Sequence, residues 1–164
     1  MSLVIGIDQS SGSRSKCGVC VFDPTEGLII EAHGLTVENP KAPAWVRIRS
    51  IAKQLRAIFE RYQDRTCEVR VEATVMRGKG GETLQRMVGA IIGRMPERFS
   101  LREVHNMSLK VHWCGRGSAE KSDMGEALLK EAYLNHDYIT KLIADQEWDV
   151  IDAICIAAYE GDMG

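Results

Sequence analysis

The segment Asp149 to Tyr159, DVIDAICIAAY, constrains this chain more than any other. Val150, Ile151, Ala153, Ile154, Ile156, Ala157 and Ala158 leave almost no polar face, the composition of a helix buried on nearly all sides. The predicted helix spans about Glu147 to Tyr159. Asp149 and Asp152 lie three positions apart and so project from nearly the same face. Carboxylates are rarely buried without a partner, because removing their charge from water is costly. The helix N-terminus supplies part of the compensation. A pair of divalent cations would supply the rest.

Two more acids stand where a strand ends. Residues 3 to 8, LVIGID, predict a buried strand closing on Asp8, and residues 67 to 72, CEVRVE, alternate toward Glu72. Between them, SSGSRSK is a turn, CGVCVFD at 17 to 23 a second strand, and Leu28 to Thr36 a third. The opening therefore reads as a three-strand antiparallel meander. A helix starting near Pro43 carries Trp45, Ile48, Ile51, Ala52, Leu55, Ile58, Phe59 and Tyr62 at helical spacing. Arg47, Arg49, Lys53, Arg56 and Arg61 fall on its opposite face. A glycine-bearing loop, RGKGG, leads to a helix from about Glu82 to Met95. Residues 100 to 105 predict a fifth strand, and Ser108 to Gly117 a short helix followed by a loop. Asp123 with Glu126 fits a capping pair opening a helix to about Leu134. This order suits a single α/β domain over residues 1–164, a mixed sheet with helices on both faces.

Charge is segregated along the chain. The formal net charge is only −2, a weak argument against a nucleic-acid partner. Yet Lys41 to Arg65 holds seven basic and two acidic residues, and Ala73 to Lys121 nine and four, whereas Ser122 to Gly164 holds two and ten. Carboxylates for metal and cations for phosphate, kept apart, suit a nuclease. No stretch reaches the length of apolar sequence that a membrane span needs. Met1 to Asp8 runs directly into a strand, so no secretory leader is expected and the compartment is expected to be the cytosol. The five cysteines are odd in number and cannot all pair. Cys17 and Cys20 form a C-x-x-C, but on a strand residues three apart face opposite sides, so they read as structural. His33, His105, His112 and His136 show no metal-ligand spacing.

Four converging carboxylates are the donor set that two-metal phosphodiester hydrolysis uses. Oxygen ligands suit Mg²⁺, with Mn²⁺ as a substitute. Two ions about 3.5–4 Å apart would stabilise both the attacking water and the leaving oxygen.

The segments IGIDQSSGS, VRVEATVM, GSAEKSDM and DVIDAICIA resemble, in order and spacing, the four blocks of the RuvC-type Holliday-junction resolvases. The likeness runs from about Leu3 to Tyr159. It implies an RNase H-like five-stranded mixed sheet with helices on both faces. It makes Asp8, Glu72, Asp149 and Asp152 the catalytic, metal-holding acids, with two Mg²⁺ ions per site. Lys121 matches a basic residue near the active site, where it would meet a phosphate or the charge of the transition state. The resemblance implies a homodimer cutting opposed strands of branched DNA to leave 5′-phosphate and 3′-hydroxyl ends. By the same analogy the second helix, with Gly89, Ala90 and Gly93, is the dimer element; packing on the sheet is its alternative.

The family usually places an aromatic residue three positions after the strand-end glutamate. Here that position is Val75, with Met76 beside it as an alternative apolar wedge. This departure and the mild acidity fit a divergent member that processes several branched structures; a phage-encoded member of that kind would act in the host cytoplasm. Arg14, Lys16, Arg77, Lys79, Arg86, Lys110, Arg116 and Lys121 are the candidate DNA-backbone contacts. Gly78, Gly80 and Gly81 would let backbone amides approach phosphate.

Three other readings compete. The opening also resembles the phosphate-binding start of actin-like sugar kinases, but those need two such domains and a far longer chain. An RNase H-like nuclease of the YqgF type would act on RNA; the DVID pair and SAEKS favour the RuvC type. A non-catalytic junction-binding module would gain nothing from four anions beside a polyanion.

Overall fold

The computed structural model describes residues 2–74, 78–131 and 134–161, with Gly78 and Lys79 as helical backbone only. The order is β1 (Ser2–Asp8), β2 (Cys17–Asp23), β3 (Leu28–Leu35), α1 (Ala44–Arg61), β4 (Thr66–Glu72), α2 (Gly78–Ile92), β5 (Phe99–Val104), α3 (Asn106–Cys114), α4 (Lys121–Leu128), α5 (His136–Ala144) and α6 (Trp148–Ala157). The sheet runs β3-β2-β1-β4-β5. β1–β2 and β2–β3 are antiparallel, as the meander requires; β1–β4 and β4–β5 are parallel. The expected five-stranded mixed sheet with helices on both faces is therefore present.

Alternation along the strands sorts side chains to two cores. Leu3, Ile5 and Ile7 point to the face covered by α1 and α2, where they meet Ile51, Leu55, Phe59, Met87 and Ile91. Val4 points the other way, into a core built by α3 to α6. The C-x-x-C divides between them, Cys17 in the first core and Cys20 in the second, and all five cysteines are free thiols.

α6 is the helix the apolar run demands. Val150, Ile151, Ala153, Ile154, Cys155, Ile156 and Ala157 are all buried. It touches the sheet on one side and α3, α4 and α5 on the other. Two glycines permit this approach. A Cβ on Gly18 would stand 1.8 Å from the carbonyl oxygen of Asp149, and one on Gly6 2.3 Å from that of Ala153. Both contacts are with helix backbone, which cannot turn aside.

Several expectations shift. α2 starts at Gly78, so Gly78, Gly80 and Gly81 belong to its first turn and not to a loop. The expected helix to Leu134 ends at Leu128, and a separate α5 follows that the apolar spacing did not reveal. The capping pair of that helix is Glu120 with Asp123, one turn earlier than Asp123 with Glu126. Trp45 is 62 % exposed instead of lying in the core. It is the second residue of α1, with the Arg49 guanidinium over its ring.

Candidate active site

The parallel pairing of β1 and β4 aligns Ile7 with Val71, so the strands deliver Asp8 and Glu72 side by side at their C-terminal ends. The start of α6 crosses the same end, because Gly18, paired with Asp8, lets the Asp149 backbone come close. The backbone N–H of Lys16 donates to Asp149 Oδ2 at 3.2 Å. Lys121, the first residue of α4, reaches in with its Nζ 3.8 Å from Asp149 Oδ1 and 3.6 Å from Asp152 Oδ2. Asn106, the first residue of α3, donates from its side-chain amide to Glu72 Oε1 at 3.0 Å. Five elements thus converge, and all four predicted acids and Lys121 are among the groups they bring together.

The acids disturb one another. Burial raises the Asp8 carboxyl well above its ordinary range, and repulsion from Asp152, Asp149 and Glu72 adds to this against the opposing pull of Lys121. Burial pushes Asp152 up to about 6; Lys121 holds it down while Asp149 and Glu72 raise it further. One lysine does not balance four carboxylates. Among the described residues no three acidic, thiol or imidazole groups stand in a closed ligand shell. The donor set, oxygen throughout and anionic, has the chemistry of a site for hard divalent cations.

Two hollows flank the acids. A cavity of about 90 Å³ is lined by Glu72, Asp152, Asn106, Lys110 and Lys121. A wider cleft of about 400 Å³ opens beside Asp149, lined by Arg14, Ser15, Lys16, Asp145 and Glu147. Of the expected backbone contacts, Lys110, Lys121, Arg14 and Lys16 therefore stand at these hollows. The Lys16 ammonium is held by Glu147 at 2.7 Å. Arg116 pairs with Asp123 at 2.8 Å, and Arg86 with Glu82 one turn away on α2. Val75, Met76 and Arg77 lie outside the described residues, as does the side chain of Lys79.

The α2 face is only partly as expected. Gly89 is exposed, and a Cβ on it would meet nothing within 4 Å; Gly93 is exposed too but lies just past the helix, which ends at Ile92 and not at the expected Met95. Ala90 instead packs toward the core under α1. Ile92, at the end of the helix, is 51 % exposed.

Gln9, Asn106 and Glu147 were not foreseen. Gln9 follows a strand-end acid in a Ser/Gly-rich stretch and reads as a turn residue, yet it is buried. Asn106 carried a faint signal, an amide side chain where a strand gives way to a helix. Arg47, assigned to the solvent face of α1, hydrogen-bonds from Nε to the Ser11 carbonyl at 3.1 Å and so ties down the loop after β1.

No family model matches the chain, and no curated protein does. Among solved structures it is similar to RuvC of Thermus thermophilus, with a TM-score of 0.67 at 19% identity, covering 95% of this chain and 91% of that one. It is also similar to T. thermophilus RuvC in complex with a Holliday junction substrate, with a TM-score of 0.66 at 17% identity, covering 95% and 90%. This likeness shows that the chain has the RuvC-like, RNase H-like fold. Among the described residues no helix is long and apolar enough to cross a membrane.

Proposed function

We propose that this chain is a structure-selective DNA endonuclease that resolves four-way or related branched junctions by metal-assisted phosphodiester hydrolysis, leaving 5′-phosphate and 3′-hydroxyl ends. The observation that carries this reading is the convergence of Asp8, Glu72, Asp149 and Asp152 on Lys121, in a fold shared with a protein solved on a Holliday junction. The four acids would hold two Mg²⁺ ions, with Mn²⁺ as a substitute. Bound divalent ions supply Lewis acidity and a nucleophilic water at neutral pH.

The chain's own residues account for the rest. Buried acids that raise one another's affinity for protons relieve that repulsion by taking up cations. Lys121, now against Asp149 and Asp152, is placed to turn toward a substrate phosphate once those acids are otherwise neutralised. Lys110 stands in the same cavity, and Arg14 borders the cleft on the far side of Asp149. A strand crossing the acids would meet cations at both ends. Arg86, Arg116 and the remaining candidates would extend the contact, exchanging protein carboxylates for phosphates. A homodimer with α2 at its interface would set two such sites against opposed strands, Gly89 and Gly93 allowing close approach.

The deciding assay is cleavage of a synthetic four-way DNA junction beside linear duplex and flap controls, with Mg²⁺ or EDTA, for wild type and Asp8→Asn. Paired nicks on opposed strands that need metal and vanish in the variant are expected. Equal cutting of flaps and forks would leave a nuclease without strict junction selectivity. Tight junction binding with no cleavage in Mg²⁺, or in Mn²⁺ put in its place, would replace the enzyme by a binding module.

A further inference from the structure

The ladder between β1 and β4 ends at Ile7 and Val71. In a parallel pair, one residue directs both its N–H and its C=O to the same neighbour. Glu72 does so one step beyond the last backbone rung, where β1 has already turned into its loop. Its partner there is the side chain of Gln9. Gln9 Oε1 accepts from the Glu72 N–H at 3.0 Å, and Gln9 Nε2 donates to the Glu72 carbonyl at 2.5 Å. A primary amide offers the same acceptor and donor as a peptide group, so this side chain completes the sheet as a strand residue would. Gln9 is 8% exposed, and an unpaired amide at that depth carries a substantial desolvation penalty.

We propose that Gln9 is a positioning residue, an added rung that fixes Glu72 against Asp8 at the separation the acid cluster needs for divalent cations. This rests on the reading of those two acids as metal ligands. The link is short: Gln9 is bonded covalently to Asp8 and hydrogen-bonded twice to Glu72. Asn106 then holds the other end of Glu72 through its carboxylate at 3.0 Å. Backbone and side chain of one acid are thus restrained by two amides from different elements. Without the rung, the end of β4 is free to fray from β1, and the two carboxylates lose their common frame.

The test uses the whole chain and Mn²⁺ as probe. Gln9→Met keeps the length and burial of the side chain and removes both hydrogen bonds; Gln9→Asn is the second variant, polar but too short to span. Mn²⁺ affinity is measured by titration calorimetry, and amide exchange by NMR on the metal-free protein. We expect at least tenfold weaker Mn²⁺ binding in both variants, with faster exchange at the Glu72 amide and unchanged protection at Val69 and Val71. Faster exchange with undiminished Mn²⁺ affinity would overturn the positioning role and leave Gln9 as a sheet closure. Unchanged exchange would overturn the rung itself. If the wild type binds no Mn²⁺, the metal reading of the site fails and the positioning role with it, a result distinct from equal binding by wild type and variants.

Discussion

The two faces of the sheet carry their helices differently. On one, α1 and α2 form a single layer with one side in water, and Trp45 and Ile92 can be exposed without disturbing Phe59 or Ile91. On the other, α6 is enclosed between the sheet and α3 to α5. The acids come from the enclosed face. A helix covered on both sides cannot slide, so Asp149 and Asp152 are held in place, at the expense of burying charges that repel. The open face is the more tolerant one, and that is where an intermolecular surface has room.

The comparison can be broken most sharply at the acids. Asp8→Asn or Asp152→Asn should lower cleavage about a thousandfold, the loss of several kcal/mol of charge stabilisation at tenfold per 1.36 kcal/mol. The same variants should melt higher than wild type in EDTA, since each removes a buried like charge. Unchanged cleavage would remove these acids from the chemistry.

Next come paired glycine substitutions. Gly18→Ala drives a methyl into the backbone of α6 and should cost about 1–3 kcal/mol, roughly 2–4 °C in melting temperature for each. Gly89→Ala meets open space and should stabilise by up to about 1 kcal/mol through helix propensity. Equal melting shifts would erase the distinction between the faces. Gly89→Leu adds the test of assembly: sedimentation should show a dimer lost while the fold remains.

A smaller effect follows from titration. Asp152 in the folded chain titrates at about 6, above the ordinary carboxylate range, because of burial. Stability from its protonated form is therefore complete below pH 4 and lost as pH rises through about 6, with Asp8 acting in the same direction. In EDTA the melting temperature should fall by a few degrees over that window, and Mg²⁺ should flatten the slope. Smallest of all, Trp45→Ala should change stability within about 0.5 kcal/mol, as for other exposed sites.

How much of this was legible in the chain depends on the range of each interaction. The strand-end acids and the apolar α6 announce themselves locally, by alternation and by a run of seven apolar positions. The meander follows from element order, whereas the place of β4 beside β1 comes only with the family resemblance and is seen directly in the sheet. Gln9 and Asn106 did not show, because their partner lies 63 and 34 residues away and nothing local marks an amide as a sheet rung. α5 escaped because its apolar contacts, Ile139 and Leu142, are too few to set a period by themselves. Trp45 misled in the other direction: it keeps helical spacing, but it stands in the first turn of α1 and faces solvent.

The spread of the acid cluster along the chain also bears on when this molecule becomes competent. The acids are drawn from both ends of the described chain, and the Lys16–Asp149 hydrogen bond alone closes a loop of 133 residues. Such distant contacts form slowly, after the loop-closure entropy has been met. A partly folded chain can hold the β1–β2 hairpin and still have no acid cluster. Whatever chemistry that cluster performs therefore waits on the longest-range contacts of the chain.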